Sequence, residues 1–357
     1  MKVGLQEKHK VTLSKEILSD PERKPISRIL RELIRLLFIF RETPKHYFSS
    51  YLFKDDIDGV EYYLPVKFAA RIVPRFNDHR LKEVLDNKLY FSLFFERFKI
   101  AVPHTFLFNH GRHFILDNRT ITVSNTGQFQ LVLAEVFLRH PELDCLFVKK
   151  IYSSSKGENI FRISRKQVES KSEELGEILS DVIQSEFLYQ ERIRQHPALD
   201  VLNPASLNTI RIDSFIDEEG NIHVLSGYIR MSLDNNYVDN IGSGGCYVAI
   251  DIDNGRLMKY SYTDFKKDGV LRSTSHPVTG TVFEGFQLPY MHEIRDLVKK
   301  AAVMIPGLRL IGWDVAISPE GPVLIEGNSD YGIRGNDHAY GGYLAHPVLG
   351  KELKRML

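Results

Sequence analysis

The sequence predicts an α+β protein of two lobes preceded by a helical extension, and three observations carry that reading. Residues 187–253 contain a succession of strand patterns, "FLYQERI", "LNTIRIDSFI", "IHVLSGYIRMS" and "GCYVAIDID", joined by turn signals such as "DEEGN" and "DNG", which predicts a mainly antiparallel sheet. Upstream, "TGQFQLVLAEVFLRHPE" reads as a helix and "CLFVKKI" and "IFRIS" as strands around the polar loop "YSSSKGEN", a second and smaller unit. A long helix, "LPYMHEIRDLVKKAAVMI", precedes a closing hairpin, "GWDVAISPEGPVLIEGN".

Taken in order, residues 26–42, "ISRILRELIRLLFIFRE", place Ile26, Ile29, Leu30, Leu33, Ile34 and Leu37 at helical spacing with Arg28, Arg31 and Arg35 on the remaining face. Such a helix either docks on the core or rests on a membrane surface or a partner protein. One amphipathic helix is expected around "HRLKEVLDNKLYFSLFFERF", followed by the strand-like "IAVPHTFLF". The expected divisions are 1–80 for the extension and the start of the first lobe, 81–115 for an N-terminal α/β lobe, 116–190 for the small lobe and 191–357 for the C-terminal lobe.

Composition narrows the function. Forty-seven Lys and Arg against 46 Asp and Glu leave almost no net charge, so bulk attraction to nucleic acid is not expected. Cys145 and Cys246 are the only cysteines and show no metal-ligand spacing. The first 20 residues lack the continuous apolar core of a secretory signal, and the apolar run "LIRLLFIF" is far short of the ~20 residues a membrane-spanning helix requires. A soluble, cytoplasmic protein is expected.

The chemistry concentrates in the hairpin. "SPEGP" supplies a turn, with Pro319 at its first corner and Gly321 at the positive φ expected of a three-residue loop with a bulge. Counting outward, with Ser318 facing Pro322, sets Asp314 opposite Glu326, and a period of two puts Asn328 on the same face. Facing carboxylates repel unless a cation lies between them, and oxygen-only ligands suit a hard ion, magnesium first. By itself the hairpin supports two readings equally, a magnesium site or a solvated face with ordinary acids. "FVKKIYSSSKGENI" adds Lys149 and Lys150 at a strand end, facing opposite ways, then a serine-rich loop whose amides could meet a phosphate.

Together these segments resemble the ATP-grasp superfamily over residues 45–335, and more narrowly its branch associated with sugar transfer and exopolysaccharide gene clusters, related to α-L-glutamate ligases. The resemblance implies an ATP-grasp fold, with two α+β lobes holding ATP between them. It implies that Lys88, in "DNKLYFSLFFERFKIAVPHTF", and Lys149 contact the nucleotide, and that Ser153, Ser154, Ser155 and Gly157 belong to the phosphate loop. In "FLYQERIRQHPALDVLNPASLNTIRI" it implies that the backbone near Gln190 meets adenine, that Glu191 meets ribose, and that Arg211 faces phosphate or an acyl phosphate. For a tetrahedral oxyanion Arg211 is the first candidate partner and Arg230, in "GYIRMS", the second. Asp314, Glu326 and Asn328 correspond to magnesium ligands.

Asn240, in "YVDNIGSGGCYVAID", and Arg334 are the candidate substrate contacts. The implied activity joins a carboxylate to an amine through an acyl phosphate, on a polysaccharide or cell-envelope precursor or a related small molecule. A phosphotransferase and a non-catalytic nucleotide-binding module of a glycan-assembly complex are the rival readings. The segment "SDYGIRGNDHAYGG" departs from the family's Pro-Gly and Gln pattern, so the resemblance does not identify the substrate.

Overall fold

The alternation of apolar and polar residues along the predicted strands resolves into two antiparallel sheets in the computed structural model, which describes residues 16–152, 160–233, 245–263 and 272–357. The smaller sheet contains β1 (Thr105–His110), β2 (His113–Leu116), β3 (Arg119–Thr122), β4 (Cys145–Lys150), β5 (Ile160–Ser164) and β6 (Glu186–Glu191), in the order β3-β2-β1-β6-β4-β5. Residue 115 therefore lies inside β2, with strands of the same sheet on both sides of it in sequence.

Helices Thr126–Arg139 and Glu174–Val182 bury Phe129, Leu133, Leu175 and Leu179 in a core shared with Leu146, Val148 and Tyr189. The period of two in β4 that turns Val148 inward turns Lys149 toward the other face.

The larger sheet contains β7 (Thr209–Ile216), β8 (Ile222–Ser232), β9 (Gly245–Asp251), β10 (Arg256–Tyr262), β11 (Arg272–Ser273), β12 (Leu310–Ser318) and β13 (Gly321–Asn328). Its order is β11-β10-β9-β8-β7-β12-β13. One face, with Ile210, Ile212, Ile229, Met231, Trp313 and Val315, packs on helix Met291–Val303 through Ile294 and Val298. At one end of the opposite face Phe215 and Leu310 pack with Tyr331 and Tyr343, and along its length Tyr228, Tyr247 and Tyr262 meet Tyr47, Tyr51 and Phe53 of the N-terminal extension.

That extension is an integral part of the packing. Lys24 is fully buried, and its ammonium donates to Leu52 O at 2.7 Å and to Glu32 Oε2 at 2.9 Å, the pairing a buried charge requires. Helix Ile26–Phe40 packs Ile29 and Leu36 inward, yet leaves Ile26, Leu30, Ile34, Leu37 and Phe38 exposed. Among the described residues no helix is long and apolar enough to cross a membrane. Cys145 and Cys246 are free and buried.

Two local expectations are corrected. The single helix expected around residues 79–98 is divided into a 3-10 turn His79–Leu81, a helical turn Glu83–Asp86 and the helix Lys88–Arg97. Asn87 breaks it: its backbone is extended and its side chain caps the next helix by accepting from Leu89 N and Tyr90 N, both at 3.0 Å. Lys88 consequently begins a helix beside the end of β4, where its amide donates to Ile151 O at 3.0 Å. The closing hairpin has a two-residue turn, Pro319-Glu320, with Ser318 opposite Gly321, whose φ is +133°. A bulge at Ile325 then shifts the register by one and restores Asp314 opposite Glu326.

Candidate active site

Backbone register assembles a row of side chains across the large sheet. Tyr228 on β8 faces Arg211 on β7, Arg211 faces Asp314 on β12, and Asp314 faces Glu326 on β13. Direct opposition on adjacent strands puts all four on the face away from helix Met291–Val303. Arg230 stands two residues beyond Tyr228 on that face.

Asp314 is nearly sealed from solvent and is held by two guanidiniums. Arg211 grips it through Nε to Oδ1 and through Nη2 to Oδ2 at 3.0 Å, while Arg230 Nη2 lies 3.1 Å from Oδ2. Burial would raise the Asp314 carboxyl, but the two guanidiniums outweigh it and hold the group below the usual carboxylate range. Arg230 also donates to Thr209 Oγ1.

Glu326 is more open and receives a different cation: Lys88 Nζ lies 3.0 Å from its Oε1. Lys149 reaches the same place from the small sheet, close enough for Glu326 and Lys88 both to act on it. Lys149 keeps part of its surface, but loss of water around its ammonium lowers it to about 8; Glu326 opposes that shift and Lys88 adds to it. Lys150 turns away, its ammonium 6.0 Å from the centroid of the Phe187 ring.

Each hairpin carboxylate thus has a cation of its own from the protein, and the two facing carboxylates do not by themselves demand a metal. Four cationic side chains, Arg211, Arg230, Lys88 and Lys149, meet two carboxylates, so the cluster carries a positive excess suited to an anionic ligand. The donor set also fits a hard cation. Glu326 stands partly exposed, and Asn328 donates its Nδ2 to Gly312 O at 3.4 Å, so Oδ1 is the atom that could serve a cation. Asp314 lies behind them as the counter-ion of the arginines.

The other sequence-predicted residues fall at the margins of this cluster. Gln190 and Glu191 end β6, in the segment that leads across to the large sheet, where His196 N donates to Ile317 O at 2.8 Å. The Gln190 amide is turned inward, donating to Pro103 O and Thr105 Oγ1, and Glu191 Oε1 accepts from His104 N at 2.8 Å. Arg334 begins the helix Arg334–Tyr340 and donates to Ser49 Oγ of the extension at 2.9 Å. Its neighbour Gly335 sits directly on the Tyr228 ring, where a Cβ would lie 2.9 Å from that side chain, so a larger residue would push the helix off β8. Ser153, Ser154, Ser155, Gly157 and Asn240 lie outside the described residues.

Residues 67–350 match the family described as sugar-transfer associated ATP-grasp. The chain belongs to that family. Its two-sheet α+β architecture is an ATP-grasp fold, and among solved structures it is similar to D-cycloserine synthetase, with 11% identity, a TM-score of 0.44, and coverage of 82% of this chain and 79% of that one. It is also similar to D-alanyl-alanine synthetase A from Vibrio cholerae O1 biovar eltor, at 14% identity and a TM-score of 0.42 over 76% of this chain and 66% of that one. A third likeness is to the biotin carboxylase domain of 2-oxoglutarate carboxylase from Hydrogenobacter thermophilus, solved with magnesium-ADP, ADP and bicarbonate. There identity is 12% and the TM-score 0.42, over 79% of this chain and 50% of that one. No curated protein matches the chain.

Sequence reasoning missed what lies behind the row. Asp213 is fully buried and accepts from Tyr331 Oη at 2.7 Å and from Tyr343 Oη at 2.6 Å; burial raises it to about 6. Tyr331 joins this acid to the site, since the Arg211 guanidinium lies 5.9 Å from its ring centroid and a Cβ on Gly312 would come within 2.7 Å of the ring. The signal available was the alternation in "TIRIDSF", which sets Arg211 and Asp213 on one face.

Proposed function

We propose that the protein is an ATP-dependent carboxylate-amine ligase that works through an acyl phosphate and modifies a polysaccharide precursor, a cell-envelope precursor or a related small molecule. The observation that carries this reading is the meeting of Lys88 and Lys149 at Glu326, where the two sheets approach, beside the Arg211–Asp314–Arg230 cluster in a member of the sugar-transfer associated ATP-grasp family. An excess of positive charge at such a junction suits a polyphosphate.

In this reading Lys88 and Lys149 bind phosphate oxygens of ATP. The backbone at Gln190 and the Glu191 carboxylate serve adenine and ribose, and the amides of Ser153, Ser154, Ser155 and Gly157 cover the phosphates. Magnesium would be held by Glu326 and Asn328 with Asp314 behind them, and would supply neutralisation of phosphate charge. A substrate carboxylate oxygen bonds to the γ-phosphorus as the bond to the bridging oxygen breaks and ADP departs. The amine nitrogen of the second substrate then bonds to the acyl carbon, inorganic phosphate leaves with the carbon–oxygen electron pair, and the amine proton passes to solvent.

Arg211 and Arg230 stabilise the oxyanion of that second step by moving part of their hydrogen bonding from Asp314 to substrate. In the same reading Asn240 and Arg334 are the substrate-binding residues on the acceptor side. The test is incubation with ATP, magnesium, pooled carboxylates and hydroxylamine. Carboxylate-dependent ADP and a hydroxamate support the ligase; ADP with a stable phosphorylated alcohol and no hydroxamate identifies a phosphotransferase; tight ATP binding without turnover identifies a nucleotide-binding module.

A further inference from the structure

Helix Ile26–Phe40, which precedes the family match at 67–350, carries two apolar stripes. The inward stripe, Ile29 and Leu36 with Leu33 and Phe40 partly covered, fixes it to the protein. The outward stripe recurs at i, i+4, i+8, i+11 and i+12 as Ile26, Leu30, Ile34, Leu37 and Phe38, one face of a helix. Phe38 is 78% exposed and Leu30 and Ile34 are each 55% exposed. Leaving such side chains in water on adjacent turns is unfavourable, and their grouping marks a surface that something covers.

Charge indicates what covers it. Arg31 and Arg35 follow Phe38 around the helix, Arg28 lies beyond them and Arg41 ends it. The only acid in the helix, Glu32, is turned inward to Lys24, Arg28 and Tyr47. Arg28 and Arg35 are also paired with Asp58 and Glu61 on the neighbouring turn, so the excess charge at this margin comes from Arg31, with Arg41 next to Glu42 at the helix end. The outward face is therefore apolar with a basic border. Size argues in the same direction: the five side chains, between 39% and 78% exposed, present roughly 500 Å², whereas a stable protein interface takes roughly 800 Å² from each partner. A second copy of the chain would need more surface than this stripe. An apolar strip with flanking arginines does suit the boundary between lipid headgroups and acyl chains, with the helix lying in the plane of the surface.

We propose that this face seats the protein on an anionic phospholipid bilayer, Ile26, Leu30, Ile34, Leu37 and Phe38 entering the acyl boundary while Arg31 and Arg41 meet lipid phosphates. The buried stripe stays on the protein throughout, so association requires no unfolding. The experiment is sedimentation of the full chain with vesicles of phosphatidylcholine alone or of phosphatidylcholine with phosphatidylglycerol. The protein sediments with the anionic vesicles, and salt at about 0.5 M weakens the association because it screens the arginines.

A double variant, Ile34→Ser with Phe38→Ser, lowers affinity for the vesicles about tenfold or more, since the inserted apolar surface is removed. Its melting temperature stays near that of the parent chain, because both positions are exposed. Arg31→Glu weakens binding to anionic vesicles selectively. Absence of sedimentation with any vesicle, equal binding to both compositions, or full binding by the double variant overturns the proposal. A dimer in ultracentrifugation that the double variant abolishes, with no vesicle binding, overturns it in favour of a second copy.

Discussion

Arg211 lies directly across the sheet from Asp314 and holds it through two hydrogen bonds, one of them from Nη2 to Oδ2 at 3.0 Å, while Arg230 reaches the same oxygen from the next strand. This buried pair is the fixed part of the site. Replacing Asp314 by Asn strands two guanidiniums in a region largely closed to water, and losing one partner of such a pair costs about 3–5 kcal/mol. Denaturant unfolding of Asp314→Asn should show a loss of that order; a loss below about 1 kcal/mol would mean that the pair does not hold the row together.

The two adjacent lysines of β4 should separate cleanly. Lys149 shares its surroundings with Glu326 and Lys88, and Lys150 lies over Phe187. Titration calorimetry with magnesium-ATP should give at least about tenfold weaker binding for Lys149→Ala, and little change for Lys150→Ala, since only the first removes a charge from the proposed phosphate site. Equal losses would contradict the assignment of faces.

Parts of this site were legible in the sequence and parts were not, for identifiable reasons. The opposition of Asp314 and Glu326 follows from the period of two and from a tight turn, yet it arises here through a shorter turn and a compensating bulge at Ile325, a feature that local patterning does not announce. The Arg211–Asp314 pair depends on the register between β7 and β12, strands about a hundred residues apart, which no short-range signal fixes. Asn87 did carry a cap signal, but the apolar spacing on both sides of it read as one continuous helix. Helix Ile26–Phe40 was legible as one apolar face with Arg28, Arg31 and Arg35 opposite, and only the packing against Tyr47 and Tyr51 divides that face into a buried part and an exposed part.

His46 gives a test of the extension's packing by pH. It is fully buried, neither ring nitrogen has a hydrogen-bond partner among the described residues, and burial with the nearby Arg334 charge lowers it to about 4. The unfolded chain takes up this proton below about pH 6.5 and the folded chain only near pH 4, so acid between those values favours unfolding. His338 and His346, also lowered to about 4, act in the same direction, whereas Asp213 and Asp337, raised to about 6 and about 7, act oppositely. The informative quantity is therefore the difference between variant and parent. His46→Phe keeps an aromatic ring beside Phe40 and removes two unsatisfied nitrogens, which should stabilise the protein by about 1–2 kcal/mol at neutral pH. The advantage should grow as pH is lowered toward 4, measured as the difference in melting temperature. An advantage that stays constant with pH would show that His46 is protonated without cost in the folded protein.

The central claim is that Glu326 works with Lys88 and Lys149 on a magnesium-bound triphosphate, and the rate of ADP release tests it most directly. The control is Glu320, six residues earlier, which is exposed at the turn tip, its carboxylate accepting from Ser318 Oγ of the same turn at 3.0 Å. With ATP, magnesium, pooled carboxylates and hydroxylamine, Glu320→Gln should match the parent protein. Glu326→Gln should fold normally and release ADP about 10²- to 10³-fold more slowly, because the charge that pairs with Lys88 and is proposed to hold the metal is gone. An ADP release rate for Glu326→Gln equal to that of the parent at saturating magnesium would contradict the account.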